Sequence, residues 1–102
     1  MMYTNDELLR FDYALRSLMT TDIRGGVKFK FYKLSTVLEE ALKPIVQSLN
    51  ETYDLDERKD ILEKTQDLIL PTFEAIELED IEMSLEQMHL LSPLIKGVEE
   101  YE

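Results

Sequence analysis

Cysteine is absent from the 102 residues. That excludes a disulfide framework, a thiolate nucleophile and a cysteine-based zinc finger; a reducing compartment fits without being required. Long apolar runs are also missing. None exceeds three residues, Leu68-Ile69-Leu70 being one of them, which is far short of a membrane span. The opening Met-Met-Tyr-Thr-Asn-Asp-Glu is polar and acidic and predicts no signal peptide. Cations are scarce in one region above all. From Lys64 to Lys96 there is no Lys or Arg between the two ends, while Asp67, Glu74, Glu77, Glu79, Asp80, Glu82 and Glu86 all fall there.

The charge of the chain is therefore divided. Residues 1–50 carry seven Lys or Arg against six Asp or Glu, a net of +1; residues 51–102 carry four against sixteen, a net of −12, and the two halves sum to the formal −11. Such asymmetry concerns partners and solubility rather than fold. The C-terminal half repels nucleic acid and anionic membrane and attracts a basic surface. A length of 102 residues predicts a single domain over 1–102. A domain of this size buries roughly two thirds of the surface of its unfolded chain. The 44% hydrophobic content is that of a globular protein.

Periodicity predicts a mainly α fold: a small bundle of three to four helices, with an acidic extended segment before the last one. Thr4-Asn5-Asp6-Glu7 is a capping box. Leu8, Phe11, Leu15, Leu18 and Met19 then recur at three or four residues, one buried helical stripe. The helix should end by Gly25-Gly26, a pair suited to positive φ. Val27, Phe29 and Phe31 alternate with lysines as a strand would. Leu34, Val37, Leu38, Leu42, Ile45 and Leu49 follow with helical spacing. One long helix from about Val27 is the favoured reading, although cations sit badly at a helix N-terminus. Pro44 should kink or restart it, having no N–H for the Glu40 carbonyl.

Asp54 or Asp56 can cap a third helix carrying Ile61, Leu62, Leu68 and Ile69 and closed by Pro71. From Phe73 to Met83 acids alternate with apolar residues, which predicts an extended or irregular segment laid over the bundle. Ser84-Leu85-Glu86-Gln87 is a second capping box, opening a short helix that Ser92-Pro93 ends. Leu94 and Ile95 pack once more, and an acidic tail frays from Val98 to Glu102. The expected core is Leu8, Phe11, Leu15, Phe31, Leu34, Leu38, Leu42, Ile61, Leu62 and Leu68.

Chemistry has little to work with. The one histidine, His89, stands beside Met88, Leu90 and Leu91 and reads as a surface or core-edge residue without an oriented catalytic partner. No nucleophile elbow, phosphate loop or metalloprotease pattern is present. Asp54, Asp56 and Asp60 lack the glycine and closing Glu of a calcium loop. Glu77, Glu79, Asp80 and Glu82 read as a solvated acidic face rather than a metal site or an acid–base pair, which would need a buried apolar setting. Catalytic residues, metal ligands and cofactors are therefore all expected to be none. Lys28-Phe29-Lys30-Phe31-Tyr32-Lys33 has the composition of a single-strand platform. Against the net charge, it is better read as core aromatics with lysines facing the acidic segment, and direct nucleic-acid binding is not expected.

Several stretches carry a family likeness. They are Thr4-Asn5-Asp6-Glu7-Leu8-Leu9, Ala14-Leu15 with Leu18, the lysine-rich opening of the long helix, Phe73-Glu74-Ala75-Ile76, Met83-Ser84-Leu85-Glu86-Gln87-Met88, and Leu91-Ser92-Pro93-Leu94-Ile95. In these the chain resembles an uncharacterised family of small acidic proteins from tailed phages and prophages of bacteria. The resemblance implies no catalytic residues. It implies a phage context, and hence the cytoplasm of a bacterial host, where small acidic non-enzymes bind host machinery or assembly intermediates. The expected function is inhibition of a host nucleic-acid-handling defence enzyme. The acidic half would enter its basic groove as a nucleic-acid mimic, with Glu74, Glu77, Glu79, Asp80, Glu82 and Glu86 as contacts. Duplex DNA carries one charge per roughly 1.7 Å of axis, and a run of carboxylates competes for the same cations. The alternative is a structural or assembly factor that binds another virion protein through an apolar patch.

Overall fold

A computed structural model of the chain describes residues 1–96; the expected frayed tail lies outside the described residues. The chain is mainly helical. A short strand β1 (Met2–Thr4) leads into α1 (Asn5–Leu18). Next come α2 (Val27–Glu51) and α3 (Leu55–Glu63). Strands β2 (Thr65–Asp67) and β3 (Phe73–Glu74) follow, the latter running into a 3-10 turn over Ala75–Leu78. The last helix is α4 (Leu85–Leu91), continued by a 3-10 turn at Ser92–Leu94 and strand β4 (Ile95–Lys96). β1 pairs antiparallel with β2, Tyr3 opposite Gln66. β3 pairs parallel with β4, Phe73 opposite Ile95 and Glu74 opposite Lys96.

Both capping boxes form. The Thr4 hydroxyl accepts from the Glu7 N–H at 3.0 Å, and a Glu7 carboxylate oxygen accepts from the Thr4 N–H at 3.0 Å. Ser84 and Gln87 repeat the exchange at 3.1 and 2.8 Å. α1 stops at Leu18, before the glycines, and Gly25 turns the chain with φ of +82°. α2 opens at Val27 and runs unbroken through Pro44 to Glu51. Its first turn has no acid and no side-chain cap, so packing rather than local electrostatics holds this end. At its other end the half-buried Arg58 guanidinium donates to the carbonyls of Leu49 and Thr52. A cation at the carbonyl end of a helix also suits the helix dipole.

The core gathers one stripe from each long helix, Leu8, Phe11, Ala14, Leu15 and Leu18 against Phe31, Leu34, Leu38, Leu42 and Ile45. It is closed by Tyr3, Leu70, Phe73, Leu78, Leu91, Leu94 and Ile95. Three expected core residues lie outside it: Ile61 and Leu68 are half-buried against its rim, and Leu62 is half-buried without packing on it. The third helix is shorter than its apolar spacing predicted. It ends at Glu63, because residues 65–67 are drawn out to pair with β1, and Ile69 is left exposed. A buried polar clamp secures that turn. Asn5, 5% exposed, donates from Nδ2 to the Ile61 carbonyl at 2.7 Å and accepts from Gln66 Nε2 at 3.0 Å. Its own N–H meets the Lys64 carbonyl at 2.8 Å.

Leu38 is fully buried, so Leu38→Ala should cost about 2–5 kcal/mol; an unchanged midpoint in thermal or urea unfolding would remove it from the core. Pro44 is exposed inside a continuous helix. Pro44→Ala should therefore stabilise the protein by about 1–3 kcal/mol, by restoring a donor to the Glu40 carbonyl. A loss of stability in the same unfolding measurement would contradict one uninterrupted helix.

Candidate functional site

Two helical elements position the acidic segment. Phe73 is buried against Phe31 of α2, their rings stacked at 4.6 Å and 27°. Beside the stack, Lys30 donates to the Thr72 carbonyl at 3.0 Å and to a Glu77 carboxylate oxygen at 2.7 Å. That same oxygen accepts from the Glu74 N–H at 2.9 Å. Glu74 in turn accepts from the Glu77 backbone, so the two acids close a box around the turn at Ala75–Leu78. Leu78 is driven into the core. The downstream end is held by the capping box at Ser84 and by Gln87 Nε2 donating to the Ser17 hydroxyl of α1 at 2.8 Å.

The six candidate acids therefore separate by role. Glu77 is half-buried and committed to Lys30; it is an anchor and not a free contact, which corrects its expected place on the solvated face. Glu74 is exposed but spends its carboxylate on the turn. Glu79, Asp80, Glu82 and Glu86 are exposed. Among the described residues these four have neither an ion pair nor a side-chain hydrogen bond. Asp80 and Glu82 line a polar cleft shared with Asp22, Arg24 and Glu77, and Arg24 there is paired with Asp22 at 3.0 Å. Glu79 edges a second, apolar cleft of about 420 Å³ formed by Ala75, Leu78, Ile81, Met83, Met88 and Ile95. Ile81 is a wall common to both. Nothing in the sequence announced the apolar cleft. Its only trace was Met83 and Met88, five residues apart across a capping box.

The lysine–aromatic run divides in a similar way. Phe31 is core and Lys30 meets the acidic segment, as expected. Phe29 and Tyr32 are not core: they are 76% and 74% exposed, and Lys28 and Lys33 are exposed with them. A helix has only one side facing the core, and Leu34 and Leu38 take it with Phe31. Phe29, Phe31 and Tyr32 could not all be buried on that side. His89 is exposed, with its backbone carbonyl accepting from Ser92 Oγ at 2.8 Å. Asp54 serves as the α3 cap, accepting from the Asp56 N–H at 3.2 Å. Among the described residues no three His, Asp or Glu are gathered so as to hold a metal ion, and no helix is long and apolar enough to cross a membrane.

Among the described residues, the arrangement is one of carboxylates held on a braced segment beside an apolar cleft. Comparison with protein-family models, curated proteins and solved structures yields no match.

The anchor has a pH signature. The Glu77 carboxyl is held below its ordinary value of 4.5, first by the Glu74 N–H and then by Lys30. A lowered folded-state value contributes stability above about 4.5 that is lost as pH falls through the folded value. Glu77→Gln should therefore lower the melting midpoint near neutral pH, and the gap to the parent should shrink as the pH is taken below that value. A gap that stays constant into acid would mean that the Glu77 charge contributes nothing.

Proposed function

We propose that this chain is a non-enzymatic binding protein encoded by a tailed phage or prophage. It acts in the bacterial cytoplasm and inhibits a host nucleic-acid-handling defence enzyme by placing carboxylates in that enzyme's basic groove. The observation that carries the proposal is the division of labour among the acids. Glu74 and Glu77 hold the segment in shape, and Glu79, Asp80, Glu82 and Glu86 are left exposed and unpaired among the described residues. Carboxylates serving only solubility need no such bracing. A braced set loses less entropy on binding, which favours competition with a phosphate backbone for the same arginines and lysines.

A second reading, a virion assembly factor docking through an apolar patch, draws on a different observation. Phe29 and Tyr32 are exposed three residues apart on one helix face. The two readings differ in how binding responds to salt and to charge removal.

The test is affinity capture from infected or prophage-bearing cells, followed by kinetics with the captured enzyme. The variant neutralises Glu79, Asp80, Glu82 and Glu86 to Gln or Asn and leaves the anchor Glu77 in place. Association should slow by about tenfold or more while dissociation changes less, because steering acts on the approach. Affinity should fall steeply as salt rises above roughly 0.1 M, where exposed charges are screened beyond about 10 Å. Inhibition by the neutralised protein as fast and as tight as by the parent, at low salt, would remove the acidic surface from function. Losses confined to Phe29→Ala and Tyr32→Ala, with capture of a capsid or tail protein, would favour assembly.

A further inference from the structure

The apolar cleft narrows the chemistry of the partner, on the reading that the acidic surface meets a basic protein. Leu78, Ile81, Met83 and Met88 are among its lining residues. Methionine is unbranched and polarizable, and Met-lined grooves repack around inserted side chains of different shape. Met88 is 41% exposed and Leu85 is 85% exposed. Three residues apart on α4, they continue the apolar strip out of the cleft along one helix face. Carboxylates stand directly alongside: Glu79 on the cleft itself, and Asp80 and Glu82 across the shared wall of Ile81.

A strip of adaptable apolar side chains bordered by unpaired carboxylates is complementary to an apolar surface flanked by cations. We propose that this cleft seats the apolar face of a basic amphipathic helix of the partner. One or two of its side chains would enter the cleft against Met83 and Met88, and its Lys or Arg residues would lie over Glu79, Asp80 and Glu82. In helix-in-groove recognition the inserted helix supplies anchors at i, i+3 or i+4, and here the exposed Leu85 and Met88 extend the apolar strip on which such anchors would lie. Nucleic acid is repelled by the same carboxylates and has nothing to place in the cleft. A neutral apolar ligand would fill the cleft and leave the carboxylates without a role.

The probes are two labelled peptides of roughly 18 residues made of Leu and Lys only. One has Leu at helical spacing; the other has the same composition with the order scrambled. Anisotropy titrations with the full chain should give at least about tenfold tighter binding of the amphipathic peptide. Met88→Glu separates shape from charge, because it adds a carboxylate where one would help any purely electrostatic contact. It should weaken the amphipathic peptide by about tenfold or more and leave the scrambled one unchanged or tighter. Leu85→Glu, at a side chain already in solvent, should act in the same direction and keeps the test valid if Met88→Glu lowers stability. Equal affinity for the two peptides, tighter binding of the amphipathic peptide by both Glu variants, or no binding of that peptide would each overturn the proposal. Equal, salt-sensitive binding of both peptides would sink the cleft and spare the acidic surface. Undiminished inhibition by the neutralised protein would sink that surface instead.

Discussion

The seam between the first turns of α2 and residues 72–78 decides the shape of the C-terminal half. Phe31 and Phe73 supply its apolar part, and Lys30 supplies its polar part through Thr72 and Glu77. The residues beyond α3 are short on regular structure, with strands of two or three residues and two 3-10 turns. Such segments hold a shape only when tertiary contacts over-determine them. Here an aromatic stack, a charge-assisted hydrogen bond and a parallel strand pair converge within a few residues of one another. The pairing also offsets a cost that the lysine brings to its own end of the helix. Lys30 sits in the first turns of α2, where a cation opposes the helix dipole, and Glu77 provides the negative charge that α2 lacks in its own first turn.

A second constraint holds the N-terminal half to the same frame. Asn5 is buried, and its side-chain amide is used on both sides, by the Ile61 carbonyl and by Gln66. Buried amides left unpaired are costly, commonly about 1–3 kcal/mol. The clamp therefore selects the arrangement in which α3 ends at Glu63 and the chain turns back along β1. Arg58 does comparable work at the C-terminus of α2, donating to the Leu49 carbonyl, which the Thr52 N–H also reaches at 3.4 Å, and to the Thr52 carbonyl. Together these contacts leave the four exposed carboxylates and the Met-lined cleft on a braced surface.

The helices were legible because their causes are local. Capping boxes at Thr4 and Ser84, the spacing of Leu8, Phe11 and Leu15, and that of Leu34, Leu38 and Leu42 can each be read within one or two turns of chain. The acidic segment was legible as irregular, since Ile76, Leu78 and Ile81 alternate with acids without a helical period. Illegible were the end of α3, the burial of Leu70 and Phe73, and the exposure of Phe29, Tyr32 and Ile76. Leu68 and Ile69 continue the apolar spacing of α3, yet pairing of Gln66 with Tyr3 lies more than sixty positions away along the chain. No window of sequence contains both partners.

The same division runs through the candidate site. Sequence alone determined the charge: sixteen acids in the second half, and no Lys or Arg between Lys64 and Lys96. Net charge depends only on composition, so it survives any folding. What each carboxylate does was decided by tertiary structure. Glu77 became an anchor because Lys30, forty-seven positions earlier, arrives at 2.7 Å. Glu79, Asp80, Glu82 and Glu86 stayed free because no cation among the described residues pairs with them; Arg24, which shares a cleft with Asp80 and Glu82, is held by Asp22 instead. The cleft beside them exists only where residues from Ala75 to Ile95 close around it. A cavity is a property of packing between distant residues, and the order of residues along the chain does not record it.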